Sequence, residues 1–254
     1  MKFRAIVQAR LASTRLPDKI LEKIGSLSIL EHIAQRVKKI ESAGIELVFA
    51  IPENEIEALA PFFSERGLIF ATGSERDVLA RYLAASADLT ENDYVIRLTG
   101  DNPFLDHEML GKIIERLKNE PVDFIHTADC PLGMGTEIVS IPALRSQKFR
   151  DLKDHHLEHV TTFIKENPHL YEIQPVRLDE TASADLAQNR IAGIRMTIDE
   201  PLDLTTARAV YSHFEHLGKP LFTSRDVILL KKNFPELLSA NLAVAQKSST
   251  STQG

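Results

Sequence analysis

The first half of the chain alternates short apolar runs with longer segments in which apolar residues recur at helical spacing. The apolar runs predict five strands, over residues 3–9, 47–51, 67–71, 93–98 and 122–127. Helices are expected between them, over residues 27–40, 53–66, 75–86 and 106–119. Because the strands are apolar throughout, not at every second residue, we expect burial on both faces. The alternation therefore predicts an α/β, Rossmann-like fold with a mostly parallel central sheet flanked by helices.

The second half is less regular. Extended segments are predicted over residues 136–141, 171–176 and 192–198, and helices over 154–166, 201–217 and 225–233. Residues 179–190 are polar and weakly periodic, which predicts a surface loop or flap. No repeat or linker divides the chain, so residues 1–244 are expected to form one domain. The Ser/Thr-rich residues 245–254 predict a disordered tail.

Composition limits the classes of function. The chain has 254 residues, 43% hydrophobic and 26% charged, as expected for a globular protein with a large core. A net charge of −6 argues against extensive contact with nucleic acid. The single cysteine, Cys130, cannot form an internal disulfide. With no signal peptide or membrane-length apolar segment in the sequence, we expect a soluble, cytoplasmic protein without a membrane partner.

Ligands of open α/β sheets bind at the carboxyl ends of the strands. The first such end is followed by a basic loop that contains Arg10, Arg15 and Lys19, with Ser13 and Thr14 between them. Fixed positive charge and hydroxyl donors are suited to phosphate. Neither glycine-rich phosphate motif is present, which argues against P-loop and dinucleotide-binding folds. The loop therefore predicts a phosphate site of another kind, and a merely solvated basic loop is the alternative.

Two later strand ends carry carboxylates. Residues 99–103 read Thr-Gly-Asp-Asn-Pro, and residues 197–203 read Thr-Ile-Asp-Glu-Pro-Leu-Asp. Asp101 and Asp199 are suited to Mg²⁺, which takes few protein ligands and binds phosphate oxygens. Local roles are the alternatives: an Asx-turn or helix start at Asp101, and a helix cap before Pro201. Both roles are compatible with Asp203 in the first helical turn and Asp199 turned inward.

A cluster of histidines follows in the second half. His155 and His159 are four residues apart, as metal ligands on one helix face would be, but the glutamate of the zinc motif is missing. Contact with an anionic substrate is favoured over a transition-metal site, and a solvated helix face is the third alternative. Cys130 predicts an inert thiol. The glycines of residues 133–137 predict a mobile turn that admits substrate.

Five segments together resemble the cytidylyltransferase family, which includes the acylneuraminate and 3-deoxy-manno-octulosonate cytidylyltransferases. The likeness is greatest to the branch of spore-coat polysaccharide biosynthesis protein F. The segments that carry it are residues 6–19, 73–79, 97–103, 158–161 and 197–204. The resemblance implies a glycosyltransferase-A-like fold and Mg²⁺-dependent transfer of CMP from CTP to a sugar or sugar acid, with release of pyrophosphate. It also implies a role in polysaccharide or glycan precursor synthesis and leads us to expect a homodimer.

The resemblance also implies roles for individual residues. Binding of the nucleotide is expected from Gln8, Ala9, Arg10, Arg15, Lys19, Ser74, Arg76 and Asp101. Catalysis is expected from Arg15, Lys19, Asp101 and Asp199, of which Asp101 and Asp199 would hold the metal. Glu137, Glu158 and His159 would lie on the acceptor side.

The chain departs from the family at two positions. The family loop usually has Gly where Asp18 stands, and the branch often has Trp where Met196 stands. Two alternatives to the cytidylyltransferase hypothesis remain: a glycosyltransferase of similar fold that uses a nucleotide-sugar, and a non-catalytic nucleotide-binding subunit.

Overall fold

A seven-stranded sheet forms the centre of the computed structural model, which describes residues 1–40, 44–179 and 190–244. The strands, in chain order, are Phe3–Gln8 (β1), Lys23–Ile24 (β2), Leu27–Ser28 (β3), Ile45–Pro52 (β4), Ile69–Gly73 (β5), Tyr94–Thr99 (β6), Phe124–Thr127 (β7), Glu137–Ser140 (β8) and Ile173–Val176 (β9). Their order across the sheet is β5-β4-β1-β6-β8-β7-β9, and β2 and β3 form a separate hairpin. Of the seven, β8 alone runs antiparallel to its neighbours, which confirms the mostly parallel sheet.

Helices cover both faces of this sheet. They are Ile29–Lys38 (α1), Ile56–Glu65 (α2), Val78–Ala85 (α3), His107–Asn119 (α4), Ile141–Ser146 (α5), Asp154–Glu158 (α6), Thr162–Glu166 (α7), Pro201–His216 (α8) and Ser224–Asn233 (α9). Within the described residues, the helices are too short or too polar to cross a bilayer. Residues 180–189 and the tail 245–254 lie outside the described residues, so the predicted loop and tail remain predictions.

The hydrophobic core is divided by the sheet into two clusters. Val7 and Leu98 face the larger cluster with α1, α4, α8 and α9, whereas Ile6 and Val95 face the smaller one with α3 and α5. Val7, Ile6 and Val95 are fully buried. Successive residues of a strand therefore enter different cores, which is why consecutive residues in the middle of the strands are apolar.

The strand prediction for residues 192–198 is wrong. Its one β-type pairing with the described residues is an isolated bridge between Leu132 and Arg195. The backbone N–H of Met196 donates to the carbonyl of Leu132 at 2.8 Å, and that of Ile198 donates to the carbonyl of Asp101 at 2.9 Å. Every second side chain of the segment is apolar because it packs into the larger core. This gives the sequence pattern of a strand although no neighbouring strand pairs with the segment. The segment thus crosses the strand ends and reaches the loop that carries Asp101.

Two predicted helices have different limits in the structure. The third begins at Val78 because Asp77 is its N-cap and accepts from the N–H of Ala80 at 2.8 Å. Ser74 accepts from the N–H of Asp77 at 3.1 Å in the turn that precedes this helix. The helix predicted over residues 154–166 is divided into α6 and α7, with His159 as the C-cap of α6.

Candidate active site

The ends of β1 and β6 lie side by side and bring two of the predicted site loops together. Gln8 and Thr99 are partners in the register of these strands, and the N–H of Gly100 donates to the carbonyl of Gln8 at 2.8 Å. A Cβ atom on Gly100 would lie 3.1 Å from that carbonyl oxygen and 3.3 Å from the Cα of Ala9. Glycine at this position therefore allows the loop of Asp101 to approach the loop of Lys19.

Lys19 connects the two predicted metal-binding carboxylates. Its Nζ lies 2.9 Å from Asp199 Oδ1 and 3.3 Å from Asp101 Oδ2, and it donates to the carbonyl of Ile198 at 2.9 Å. The lysine side chain is only 14% exposed. The expected convergence of Asp101 and Asp199 is thus present in the fold, although only Asp101 follows a strand.

Further charged side chains surround Asp199. Arg15 pairs with Glu200 at 2.7 Å and approaches Asp199 at 3.8 Å. Arg195 bridges Asp199 and Asp203, at 2.8 Å to each. Burial favours the neutral form of Asp199, but its cationic neighbours, Lys19 first among them, outweigh it and lower the pKa of this carboxyl.

Arg195, Glu200 and Asp203 were not among the predicted site residues. Asp203 accepts from the N–H groups of Asp199 and Glu200, each at 3.0 Å, and so supports the start of α8. Asp199 is left free to turn toward Lys19, as expected from the sequence. In an extended strand, residues four apart share a face but lie about 13 Å apart along the chain, so the strand predicted there gave no reason to expect the ion pair of Arg195 with Asp199.

Asp101 is oriented by its own loop. Thr99 Oγ1 donates to Asp101 Oδ1 at 2.6 Å, and Asn102 Nδ2 donates to Thr99 Oγ1 at 2.7 Å. This chain of hydrogen bonds leaves Asp101 Oδ2 to contact Lys19. Local turn geometry and a ligand role are therefore compatible at this residue.

Asp18, in the basic loop, has φ of 52° and ψ of 20°, in the left-handed region. Among the described residues it is the sole non-glycine with positive φ, a conformation that glycine adopts without strain. The loop also contacts a residue that was not predicted, Glu55. Its carboxylate accepts from the N–H groups of Leu11 and Ala12 at 2.7 and 3.1 Å, so it occupies two backbone donors of the loop.

The residues expected to contact the nucleoside surround the same end of the sheet. Gln8 is half-buried, its Oε1 is buried without a partner in the described structure, and Ala9 is 3% exposed. Ser74 and Arg76 are exposed just beyond the end of β5, which is separated from β1 by β4. Arg10 does not join the Lys19 cluster but pairs with Glu158 at 3.6 Å. Its predicted contact with the nucleotide stays a prediction.

Glu137, predicted on the acceptor side, is the centre of a separate ionic cluster. Its Oε2 accepts from Arg97 Nη1 at 3.0 Å and from Thr161 Oγ1 at 2.6 Å, and its Oε1 pairs with Lys165. Burial opposes ionisation, but Arg97 and Lys165 outweigh it and lower the pKa of Glu137 to about 2. The nearby His159 is half-buried, and burial lowers its pKa, so it is neutral at pH 7.

The histidine cluster has a different arrangement from the one considered for a metal. His155 and His156 contact Glu166, at 3.3 and 2.8 Å, and His159 is not part of this group. The N–H of Lys153 donates to His156 Nδ1 at 3.0 Å, so Nε2 carries the proton and donates to Glu166. That proton occupies the atom a metal would need, and the geometry favours a structural pair.

A cavity of about 230 Å³ lies beside Asp101, between the loops that follow β6 and β7. Its polar lining includes Arg97, Thr99, Asn102, Thr127, Thr136 and Glu137. Cys130 also lines it, and burial raises the pKa of this thiol to about 12, which confirms an inert cysteine. Gly133, with φ of 88°, packs so closely that a Cβ would lie 2.4 Å from the N of Thr197. The glycine turn is therefore a site of close packing.

The donor set around Lys19 fits a divalent cation. Two carboxylates and one carbonyl already point their oxygens at a single positive charge. Oxygen ligands of this kind are those that Mg²⁺ selects. Asp101 and Asp199 are the carboxylates that would hold it.

Comparison with known proteins gives a consistent family assignment. A family model described as cytidylyltransferase matches residues 4–245. An uncharacterised protein of Methanocaldococcus jannaschii is 32% identical over 98% of this chain and 98% of its own. The spore coat polysaccharide biosynthesis protein SpsF of Bacillus subtilis is 30% identical over 91% of this chain and 94% of its own.

Solved structures show the same fold. A cytidylyltransferase from Leptospira borgpetersenii superposes with a TM-score of 0.79 at 25% identity, covering 98% of this chain and 99% of that one. A CMP:2-keto-3-deoxy-manno-octonic acid synthetase in complex with CTP superposes with a TM-score of 0.60 at 15% identity, over 84% of this chain and 99% of that one. The second likeness concerns the fold alone.

Proposed function

The chain belongs to the cytidylyltransferase family and is an enzyme of that kind, and we propose that it transfers CMP from CTP to a sugar or sugar acid with the help of Mg²⁺. The observation that carries this proposal is the meeting of Lys19, Asp101 and Asp199 beside the carboxyl ends of β1 and β6, with Arg15 next to them. The name of the relative SpsF supports a role in polysaccharide precursor synthesis. The family match favours this function over the glycosyltransferase and the non-catalytic subunit.

The reaction is an in-line substitution at the α-phosphorus of CTP. An acceptor oxygen forms a new P–O bond as the bond to pyrophosphate breaks, and the acceptor hydroxyl loses its proton. Protein groups contribute mainly by positioning the substrates and stabilising charge. A divalent cation held by Asp101 and Asp199 supplies charge neutralisation at the phosphate oxygens when bound.

Lys19 and Arg15 have a second role in this proposal. Both cations are held by carboxylates in the ligand-free protein. When metal and nucleotide bind, the carboxylates gain another positive partner, and Lys19 and Arg15 can turn to the departing pyrophosphate. The charge that develops there is then met by groups already in place.

The test is incubation of the full chain with CTP, Mg²⁺ and a panel of sugar acids and sugar phosphates. We expect pyrophosphate release with at least one acceptor, and binding of CTP in calorimetry. A glycosyltransferase would bind nucleoside diphosphates but release no pyrophosphate from CTP. No CTP binding together with no release across the panel would refute the proposal.

A further inference from the structure

Glu55, in the short helical turn between β4 and α2, holds the basic loop, and we propose that it is a positioning residue that fixes Lys19 for catalysis. Both oxygens of its carboxylate accept from the loop: Oε2 from the N–H of Leu11 at 2.7 Å, and Oε1 from the N–H of Ala12 at 3.1 Å. Hydrogen bonds to an ionised acceptor are stronger than those between neutral groups. This inference rests on the proposed function, because it concerns the same site.

The place of Glu55 in the chain does not account for these contacts. Glu55 is the N-cap residue of α2, but its side chain makes no capping hydrogen bond to that helix. The residue is only 9% exposed, and a buried carboxylate is costly unless it is hydrogen bonded. The hydrogen-bond partners found for it among the described residues are the two N–H groups of the loop. Its side chain therefore serves the loop instead of capping its own helix.

A chain of backbone groups connects Glu55 to Lys19. The N–H of Leu11 donates to Glu55, and the carbonyl of Leu11 accepts from the N–H of Asp18 at 3.3 Å. Asp18 directly precedes Lys19 and is the N-cap of the helical turn that begins with it. The two ends of the loop, at residues 11 and 18, are thus joined at Leu11. By holding Leu11, Glu55 restrains the backbone from which the Lys19 side chain extends.

The loop has little support of its own. Residues 9–18 contain no helix or strand. The hydrogen bonds found inside the loop, from the N–H of Leu16 to Ser13 Oγ and from that of Asp18 to Leu11, are both 3.3 Å long. The bond from Leu11 to Glu55, at 2.7 Å, is shorter than either. Because a small displacement of a catalytic group lowers the rate strongly, the loop needs this restraint from outside.

A different role for the same contact predicts the opposite kinetics. If Glu55 occupied a phosphate position, its removal would free two N–H groups for the nucleotide and lower the KM for CTP. If it positions the loop, its removal lets the loop and Lys19 move, so the KM rises and kcat falls. Burial favours the second role, because a side chain that gives way to a ligand must be free to leave its place.

The test compares Glu55→Gln and Glu55→Ala with wild type in steady-state pyrophosphate release. Glutamine keeps the size but has one acceptor oxygen, so kcat/KM should fall about 10-fold. Alanine removes both contacts, and kcat/KM should fall about 100-fold, with a higher KM for CTP in both variants. Glu53→Gln is the control, since it removes an exposed carboxylate two residues earlier and should leave both constants unchanged. Unchanged kcat/KM in both variants of Glu55, or a lower KM, would overturn the inference.

Rescue by acetate separates positioning from a general loss of structure. Acetate supplies the carboxylate and the carbon that Glu55→Ala removes. At constant ionic strength it should raise kcat/KM of this variant about 10-fold, whereas acetamide, which has the same shape but no charge, should not. Equal effects of the two compounds would assign the loss to structure and overturn the inference. If Glu55→Ala does not fold, as a thermal melt shows, a wild-type kcat/KM in Glu55→Gln refutes it.

Amide hydrogen exchange distinguishes this inference from the proposed function, because it needs no nucleotide. The N–H groups of Leu11 and Ala12 should be protected in wild type and exchange about 10-fold faster in Glu55→Gln. Equal exchange rates in the two proteins would overturn the inference, whatever reaction the protein catalyses. Failure of the wild-type chain to bind CTP in calorimetry, with the expected difference in exchange, would refute the proposed function and leave the restraint on the loop in place.

Discussion

Lys19 and Arg36 are cations in the same chain with opposite surroundings. Lys19 Nζ is surrounded mainly by carboxylate oxygens at the edge of the sheet. Arg36 is fully buried, and its Nη1 donates to the carbonyls of Leu105 and Phe222 at 3.2 and 2.7 Å. Its guanidinium also lies over the rings of Phe104 and Phe222, 5.4 and 4.8 Å from their centroids. One cation has charged partners and the other neutral ones.

The kind of partner decides what each cation can do. Carboxylates that hold Lys19 can exchange it for another cation, so this contact is suited to a site that binds metal and phosphate. Carbonyls and rings offer Arg36 no such exchange. Burial lowers the pKa of Arg36 to about 10, which still leaves it charged at neutral pH. By its bond to Leu105 it fixes the loop after β6 that carries Asp101. Arg36 is thus structural, whereas the surroundings of Lys19 suit the role proposed for it.

The largest expected effect is the loss of activity when a carboxylate beside Lys19 is replaced. Asp101→Asn should lower kcat by about 10³-fold, because the charge that faces Lys19 and the proposed metal is lost. The melting temperature should change little, since this carboxylate is half-exposed. Steady-state kinetics of pyrophosphate release and a thermal melt measure the two effects. Asp88→Asn is the control, since it removes an exposed carboxylate paired with Arg4 and should leave kcat unchanged.

The second largest effect is expected on stability, when Arg36 is replaced. Arg36→Met should lower the free energy of unfolding by about 3 kcal/mol, because buried carbonyls lose their donor. Urea denaturation measures it. Arg208→Met, on an exposed arginine that donates to the carbonyl of Lys23 and pairs with Glu22, should cost less than about 1 kcal/mol. Equal costs for the two substitutions would contradict the distinction between the two cations.

Whether a metal ion can replace the ammonium of Lys19 between the carboxylates can be tested by metal binding without nucleotide. Lys19→Met should increase the affinity for Mn²⁺ about tenfold, or about 1.4 kcal/mol, because the metal no longer competes with the ammonium. Electron paramagnetic resonance of free Mn²⁺ gives the affinity directly. Arg36→Met should leave it unchanged, provided that the variant is folded at the temperature of measurement. Unchanged or weaker Mn²⁺ binding in Lys19→Met would show that the lysine does not occupy a metal position.

Low pH should reduce the stability contributed by the carboxylates around Lys19 and Arg195, but not that contributed by the neutral partners of Arg36. Burial opposes ionisation of Asp203, but Arg195 and the backbone outweigh it and lower the pKa of Asp203. A lowered folded-state pKa gives stability that is present above the unfolded value, about 3.9, and lost as pH falls further. We expect the stability that this group contributes to be lost below pH 4, as its carboxylate is protonated. Urea denaturation from pH 6 to 3 should show a shallower loss in Asp203→Asn than in wild type.

The smallest effect is expected at Asp18. Asp18→Gly removes the left-handed strain of a non-glycine residue but adds freedom to the unfolded chain, so stability should change by less than about 1 kcal/mol. The KM for CTP should fall about twofold, because an exposed negative charge leaves the phosphate loop. Asp18→Asn separates the two causes, since it removes the charge and tolerates the same backbone. A KM that falls in the glycine variant alone would assign the effect to the backbone.

Predictions from the sequence succeeded where local rules apply. The strands β1, β4 and β6 follow from apolar runs, and the meeting of Asp101 with Asp199 follows from their places after apolar segments. The same rules failed where neighbours decide the outcome. Residues 192–198 have the pattern of a strand, yet their hydrogen bonds go to loops. The ion pair of Arg10 with Glu158, from another part of the chain, likewise has no local pattern that announces it.

The sequence by itself determined the α/β class, the strand-end loops and the carboxylates suited to a cation, because periodicity and strand order act over short separations. Tertiary structure alone decided the partners of Arg97 and Arg36. Arg97 meets Glu137 across 40 residues, and Arg36 meets Phe222 across 186. Contacts of this range depend on how the layers pack, and no local pattern records them. The cavity beside Asp101, which owes its charge to Arg97 and Glu137, is therefore a property of the fold.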